Sequence, residues 1–479
     1  MARHKASAVL EVLQAVSSSQ CRCPAHSQAF GGYRILQPNV TAGSLRRSHS
    51  DGQTTEYAFE MATSNIRYGE GVTREVGMDV VNLGIKHICV FTDPNLARLP
   101  PLKAVLDSLH SSSVNYSVFD KVSIEPTNTS FEEAISFVRE RGFDGFLAVG
   151  GGSVMDTAKA ANLYSCYPDA DFLDFVNAPI GKGLPIDKRL HPLICVPTTA
   201  GTGSETTGVS IFDHKPLGAK TGIGDRALRP LLGIVDPLHT RYMPTNVAAY
   251  SGFDVLCHAL ESFTAIPYTE RTPRPSNPLN RPAYQGSNPI SDLWSTHALK
   301  IIKKYFKRSV FDADDQEARS AMHLASVYAG VGFGNAGVHL PHGMSYPISG
   351  LVKSFRAEGY DQSKPLVPHG LSVVISAPAV FTFTAPLCPE RHLEAAELLG
   401  ADITSAKLED AGLILADALR GYMQAMGVMN GLRELGYSIE DVPSLVKGTL
   451  PQQRVTKLSP RSFTEEQLAG MFENSMTVY

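Results

Sequence analysis

A chain of 479 residues is too long for one ordinary hydrophobic core and reads as two domains of usual size. With 43% hydrophobic and 19% charged residues it has the make-up of a folded protein, and no run of about eighteen or more apolar residues marks a membrane span. A formal charge of −4 supplies no basic field to gather nucleic acid, which leaves small molecules as the expected partners.

The first fifty residues have a different balance. Arg3, Lys5, Arg22, Arg34, Arg46 and Arg47 face a single acid, Glu11, among many serines and without a long apolar run. This is the pattern of a mitochondrial transit peptide over 1–50, cut near Arg46-Arg47-Ser48, and it predicts a matrix location; a plain terminal tail is the competing reading. Seven cysteines, Cys21 and Cys23 among them, are too few and too scattered for a disulfide framework.

From Asp51 short β-branched runs alternate with helical periodicity. The pattern predicts strands over 87–93, 115–122, 145–149 and 193–196, and helices over 96–111, 130–141 and from Val154. Alternation of this kind argues for a parallel sheet with crossover helices, an α/β domain spanning 51–236. Gly150-Gly151-Gly152-Ser153 follows a strand and opens a helix, so bare backbone N–H groups and a helix N-terminus face whatever binds there, as a phosphate requires. Asp93 closes the first of these strands, where a carboxylate can accept hydrogen bonds from a ribose. Pro197–Glu205 (PTTAGTGSE) gives a second glycine- and hydroxyl-rich loop. Two such loops at neighbouring strand ends make a crevice for a dinucleotide, although the Gly-x-Gly-x-x-Gly fingerprint is absent.

From about Pro237 helical patterns dominate, giving a second, all-α domain over 237–479. Asp254 and His258 are four apart, so both leave one face of a helix; a capped histidine is the bland alternative. The stretch Gly337–Pro347 (GVHLPHGMSYP) and the run Pro368-His369-Gly370 add His342 and His369, each followed by a glycine expected to let a metal approach. Three neutral imidazoles and one carboxylate suit a divalent transition metal, Fe2+ or Zn2+. His339 is the spare imidazole, expected beside the ligands rather than among them.

Taken in order, GGGSVMDTAKA, PTTAGTGSE, the Asp254/His258 helix, HGMSYP and PHG resemble the motifs of the iron-containing (group III) alcohol dehydrogenases, from about residue 60 onward. The resemblance implies a dehydroquinate-synthase-like fold, an α/β nucleotide-binding domain followed by an all-α domain with the active site between them. It implies Asp254, His258, His342 and His369 as metal ligands, and tightly bound NAD in contact with Asp93, Gly151, Gly152, Ser153, Asp156, Thr198, Thr199, Thr202 and Lys220.

Two departures from the family pattern narrow the branch. Tyr346 stands where many members have a second histidine after His-Gly-Met-x, and it joins His339 as a candidate catalytic residue. The segment Pro267–Pro289 is longer than its usual counterpart and carries Arg271, Arg274 and Arg281, expected as guanidinium forks for a substrate carboxylate near the cleft, with Lys353 and Arg356 as further candidates. With the leader, these features are similar to the mitochondrial branch that oxidises 4-hydroxybutyrate to succinate semialdehyde while reducing 2-oxoglutarate to 2-hydroxyglutarate. The expected partners are therefore small hydroxy and oxo acids, with no nucleic acid and no membrane span, and a homo-oligomer is left open. The alternatives are a conventional NAD-dependent alcohol dehydrogenase, a metal-dependent hydrolase and a silent binding protein.

Overall fold

Six short strands carry the first half of the described chain. β1 (Asn65–Tyr68), β2 (His87–Phe91), β3 (Asn115–Phe119), β4 (Gly145–Gly150), β5 (Leu193–Pro197) and β8 (Leu232–Val235) form one sheet in the order β1-β8-β5-β4-β2-β3, every neighbouring pair parallel. Between β5 and β8, β6 (Val209–His214) and β7 (Ala219–Gly224) pair as an antiparallel ribbon. The computed structural model describes residues 54–217 and 219–479. Gln53–Tyr479 is one unit; Met1–Gly52, and with it the transit-peptide reading of 1–50 and of Cys21 and Cys23, lies outside the described residues.

Helices cover both faces of the sheet. α1 (Val76–Asn82) and α2 (Pro100–Ser111) pack Val80, Leu102 and Val105 onto Ile88, Val90, Leu147 and Val149. On the other side α3 (Asn128–Arg139) and α4 (Gly152–Cys166) pack Ala134, Val138, Val154 and Ala158 onto Cys89, Phe91, Phe146 and Ala148. Successive residues of a strand thus serve opposite cores, and this is why β4 and β5 are buried throughout and read as unbroken apolar runs.

The expected helix over 96–111 is instead a 3-10 turn, Leu96–Arg98, followed by α2. Leu99 stands extended before Pro100, the conformation that a following proline imposes. β2 and β3 end at Phe91 and Phe119, earlier than expected, so Asp93 lies just beyond its strand.

Beyond Val235 the regular structure is helical: α5 (Thr245–Thr264), α6 (Pro289–Phe311), α7 (Gln316–Ala336), α8 (Leu340–Gly350), α9 (His369–Val374), α10 (Ala377–Thr384), α11 (Pro389–Leu399), α12 (Ala411–Ala425), α13 (Val442–Thr449), α14 (Gln453–Thr456) and α15 (Glu465–Asn474). α5 runs through the middle, packed by α6, α7 and α9, and every residue from Gly252 to Thr264 is buried. Polar groups on such a helix have no water to turn to and need partners from the protein or from a ligand. Among the described residues no helix is long and apolar enough to cross a membrane.

Candidate active site

Three helices bring three imidazoles to one carboxylate oxygen. Asp254 and His258 share a face of α5, His342 sits in the first turn of α8, and His369 opens α9. The Nε2 atoms of His258 and His342 stand 3.5 Å from Asp254 Oδ1, and that of His369 stands 3.6 Å away. Asp254, His342 and His369 keep their donor atoms within 4.8 Å of one another; His258 reaches the same oxygen from outside this trio, its ring stacked on Phe333 with centroids 3.8 Å apart.

Asp254 Oδ1 and His342 Nε2 are buried and have no hydrogen-bond partner, an unfavourable state for protein atoms alone. Ligand atoms about 2.1 Å from a common ion stand roughly 3.4 Å apart, so the spacing fits a divalent transition metal, and so does the donor chemistry.

Electrostatics agree with that use at Asp254, His258 and His369. Burial alone would push the Asp254 carboxyl up, but the His258, His369 and His342 imidazoles hold it far below the usual carboxylate range. Burial lowers His258 to about 3 and His369 to about 4, which leaves both as neutral donors near neutral pH. At His342 burial also acts downward, but the Glu261 and Asp254 carboxylates together outweigh it and lift the imidazole to about 10, so this ring must release a proton before it can serve as a donor.

Glu261 was not picked out from the sequence, although it continues the face of α5 that carries Asp254 and His258. Its Oε2 accepts from His342 Nδ1, and its Oε1 accepts the backbone N–H groups of His339 at 2.8 Å and His342 at 3.1 Å. One carboxylate thus anchors the start of α8 and fixes which nitrogen His342 turns to the centre, the usual task of a group behind a metal ligand.

The sequence expectations for His339 and the two glycines need correction. His339 does not line the cavity: its Nε2 lies 3.0 Å from Thr264 Oγ1 in the helical core, so it meets no reacting atom. The glycines after His342 and His369 serve helix packing, because a Cβ at Gly370 would stand 1.9 Å from the Tyr250 carbonyl oxygen and one at Gly343 would stand 2.6 Å from Thr456 Cγ2.

The ligand cluster opens on a cavity of about 850 Å³ that residues at the ends of the strands also line. Asp93, Gly151, Gly152, Ser153, Asp156, Thr198, Thr199, Thr202 and Lys220 all line it, as does Tyr346. The chain reverses its direction of travel across the sheet between β2 and β4, and the crevice at such a point is where dinucleotides bind. α4 begins at Gly152 with no side chain capping its N-terminus. A Cβ at Gly152 would meet Thr202 Cγ2 at 2.6 Å, so only glycine lets the two loops close on each other.

Two charged groups here already have protein partners. Asp156 accepts from Ser204 Oγ at 2.7 Å and from the Ile211 N–H at 2.9 Å, and Lys220 pairs with Glu125. Asp93 Oδ1 accepts the N–H groups of Asn95 and Leu96.

The basic residues expected to read a carboxylate are elsewhere. Arg281 forks onto Glu56 with two 3.0 Å bonds, Arg274 lies over the Tyr57 ring, and the Arg271 carbonyl accepts from the Glu56 N–H. The insert is therefore a strap over residues 54–57, held by an acid close by, and none of its arginines lines the cavity. Lys353 pairs with Asp441 and Arg356 is exposed, both outside the cavity. A different arginine, Arg454, lines it and donates to the Tyr346 hydroxyl at 3.1 Å. Nothing in the sequence around Arg454 marked it.

Comparison with known proteins bears on these observations. Residues 63–237 match the family described as iron-containing alcohol dehydrogenase, and residues 283–476 match the C-terminal region of the Fe-containing alcohol dehydrogenase family. The chain is 60% identical to the mitochondrial hydroxyacid-oxoacid transhydrogenase of Rattus norvegicus and 58% identical to that of Homo sapiens, each over 98% of both chains. Among solved structures it is similar to sulfoacetaldehyde reductase from Bifidobacterium kashiwanohense in complex with NAD+, at 26% identity and a TM-score of 0.70, covering 89% of this chain and 99% of that one.

Proposed function

Because the chain belongs to the iron-containing alcohol dehydrogenase family, we propose that its cavity passes hydride between two organic acids, oxidising 4-hydroxybutyrate to succinate semialdehyde and reducing 2-oxoglutarate to 2-hydroxyglutarate through one retained NAD. The protein is an oxidoreductase and is mitochondrial, as its full-length relatives at 58–60% identity are. The observation that carries the proposal is the convergence of three imidazoles on the unpartnered Asp254 oxygen, across one cavity from the uncapped glycine turn. We place the division between the nucleotide and metal halves at 236/237, directly after β8.

Asp254, His258, His342 and His369 would hold the metal, and the Gly151–Ser153 turn with Asp93, Thr198, Thr199 and Thr202 would hold the dinucleotide. When bound, a divalent ion supplies Lewis acidity toward a substrate oxygen, and the nicotinamide supplies a two-electron acceptor and donor. Glu261 keeps His342 turned inward. Phe333 and Val338 present apolar surface to the same cavity and limit water around the ligands. Fe2+ and Zn2+ suit these donors alike, and metal analysis distinguishes them.

A retained cofactor must be reduced by one acid and reoxidised by the other, with the first product leaving in between, so the kinetics are ping-pong. Enzyme purified with its cofactor and given both acids, without added NAD, is expected to form the semialdehyde and 2-hydroxyglutarate in equal amounts, and neither acid alone should exceed one turnover. A requirement for added NAD, with free NADH accumulating from 4-hydroxybutyrate alone, would identify a conventional dehydrogenase instead.

A further inference from the structure

Arg454 is a half-buried cation of the cavity that pairs with no carboxylate among the described residues. Its Nη2 donates to Tyr346 Oη at 3.1 Å, and its guanidinium lies over the Tyr284 ring, 4.9 Å from the centroid. Its Nη1 is buried and has no partner; the groups around it are the two tyrosines, and among the described residues no carboxylate pairs with it. Of the other cations lining this space, the buried Lys220 has Glu125, and Lys364 reaches Ser123 Oγ and the Ile124 carbonyl. A guanidinium partly withdrawn from water without an acid is unfavourable, and its free edge has the shape that takes a carboxylate.

The position suits a substrate that also reaches the ligand cluster. Tyr346 follows His342 by four residues on α8, so its side chain leaves the same face one turn, ~6 Å, along the helix. Arg454 is tied to that turn.

We propose that Arg454, oriented by Tyr346, binds the substrate carboxylate remote from the reacting carbon, and that both acids of the reaction use this one subsite in turn. The inference rests on the substrate pair given under Proposed function. In 4-hydroxybutyrate the carbon bearing the hydroxyl is three bonds from the carboxylate carbon. In 2-oxoglutarate the keto carbon is likewise three bonds from the remote carboxylate carbon. With the reacting carbon at the same point, the two acids deliver a carboxylate to the same place, and a single guanidinium serves both half-reactions. Arg454 is thus a specificity-determining residue, and the device accepts two acids of different size while rejecting chains of the wrong length.

The test uses the holoenzyme as purified. Arg454→Gln is expected to raise KM for 4-hydroxybutyrate and for 2-oxoglutarate by the same factor, about 10- to 100-fold, as loss of a charge-assisted bond implies. Bound metal and NAD should be retained. Glutarate, a diacid that cannot react, should bind the unaltered enzyme in calorimetry and lose affinity in parallel in the variant, with Arg454→Lys intermediate.

A second measurement needs no variant: the unaltered enzyme should prefer 4-hydroxybutyrate to 3-hydroxypropionate and 5-hydroxyvalerate by about tenfold or more in kcat/KM, as misplacing the carboxylate weakens a charge-assisted bond. A KM change confined to one acid, unaltered glutarate affinity, or a flat chain-length profile would overturn the proposal. If the unaltered enzyme turns over both acids while Arg454→Gln leaves both KM values unchanged, the subsite fails and the substrate reading stands. If it turns over neither acid yet binds glutarate through Arg454, the substrate reading fails and the subsite stands.

Discussion

Glu205, in the loop after β5, shows what a single buried carboxyl does when it has no ligand to hold. Its Oε1 has no partner, and burial lifts the group from an ordinary 4.5 to about 7, with Lys159 only partly opposing the rise. The folded chain therefore keeps a proton that the unfolded chain has already released. The stability this lends is full below the unfolded value and is lost as pH rises through the folded one. Denaturation curves should show the unaltered protein losing about 3 kcal/mol relative to Glu205→Gln between pH 4.5 and 8. Parallel pH slopes for the two proteins would show that Glu205 is ionised in the fold. At Asp254 burial is answered instead by three imidazoles and the carboxyl moves the other way, so between two fully buried carboxyls it is the neighbours that decide the direction.

Individual helices meet at contacts that admit no extra atom. α9 crosses α5 where a Cβ on Gly370 would stand 1.9 Å from the Tyr250 carbonyl oxygen and 3.2 Å from Asp254 Cβ. Gly370→Ala must push α9, and His369 with it, away from the ligand cluster. The expected result is a stability loss of about 1–3 kcal/mol together with a fall in bound metal. Gly421→Ala, inside α12 with open space around it, should instead gain up to about 1 kcal/mol. If both variants keep a full complement of metal and equal stability, α9 has room that these contacts deny.

The same scale shows what sequence could and could not reveal. β2, β4 and β5 were legible because strands buried on both faces leave apolar runs, whereas β1, half-exposed and four residues long, and the β6–β7 ribbon left no such trace. Asp254 and His258 announced themselves by helical spacing. Arg281 misled because its acid, Glu56, lies 225 residues away in the chain, beyond what a local pattern can contain. Arg454 escaped for the same reason, its partner Tyr346 lying 108 residues off.

The four proposed ligands come from three helices, and an ion held by them would join α5, α8 and α9 into one body. An ion that binds only the folded chain stabilises it by about 2.7 kcal/mol at a hundredfold excess over its Kd. Treating the loaded protein with a strong chelator should therefore lower its melting temperature, and hydrogen exchange should quicken in α8 and α9 before it does in β4 and β5. Ion loss confirmed by metal analysis, with melting and exchange unmoved, would mean that the ligand cluster is held by packing alone.

The spacing of these ligands along the chain also orders the protein's maturation. All six strands of the sheet precede Asp254, while Glu261 and His342 meet across 81 residues and His369 comes later still. A chain emerging N-terminus first completes its nucleotide half before the first proposed ligand appears, and the full donor set exists only once His369 has been made. At the proposed site metal insertion would then be a late step, and with donors that suit both Fe2+ and Zn2+ the ion acquired would be set by the supply where folding finishes, not by the surroundings in which synthesis began.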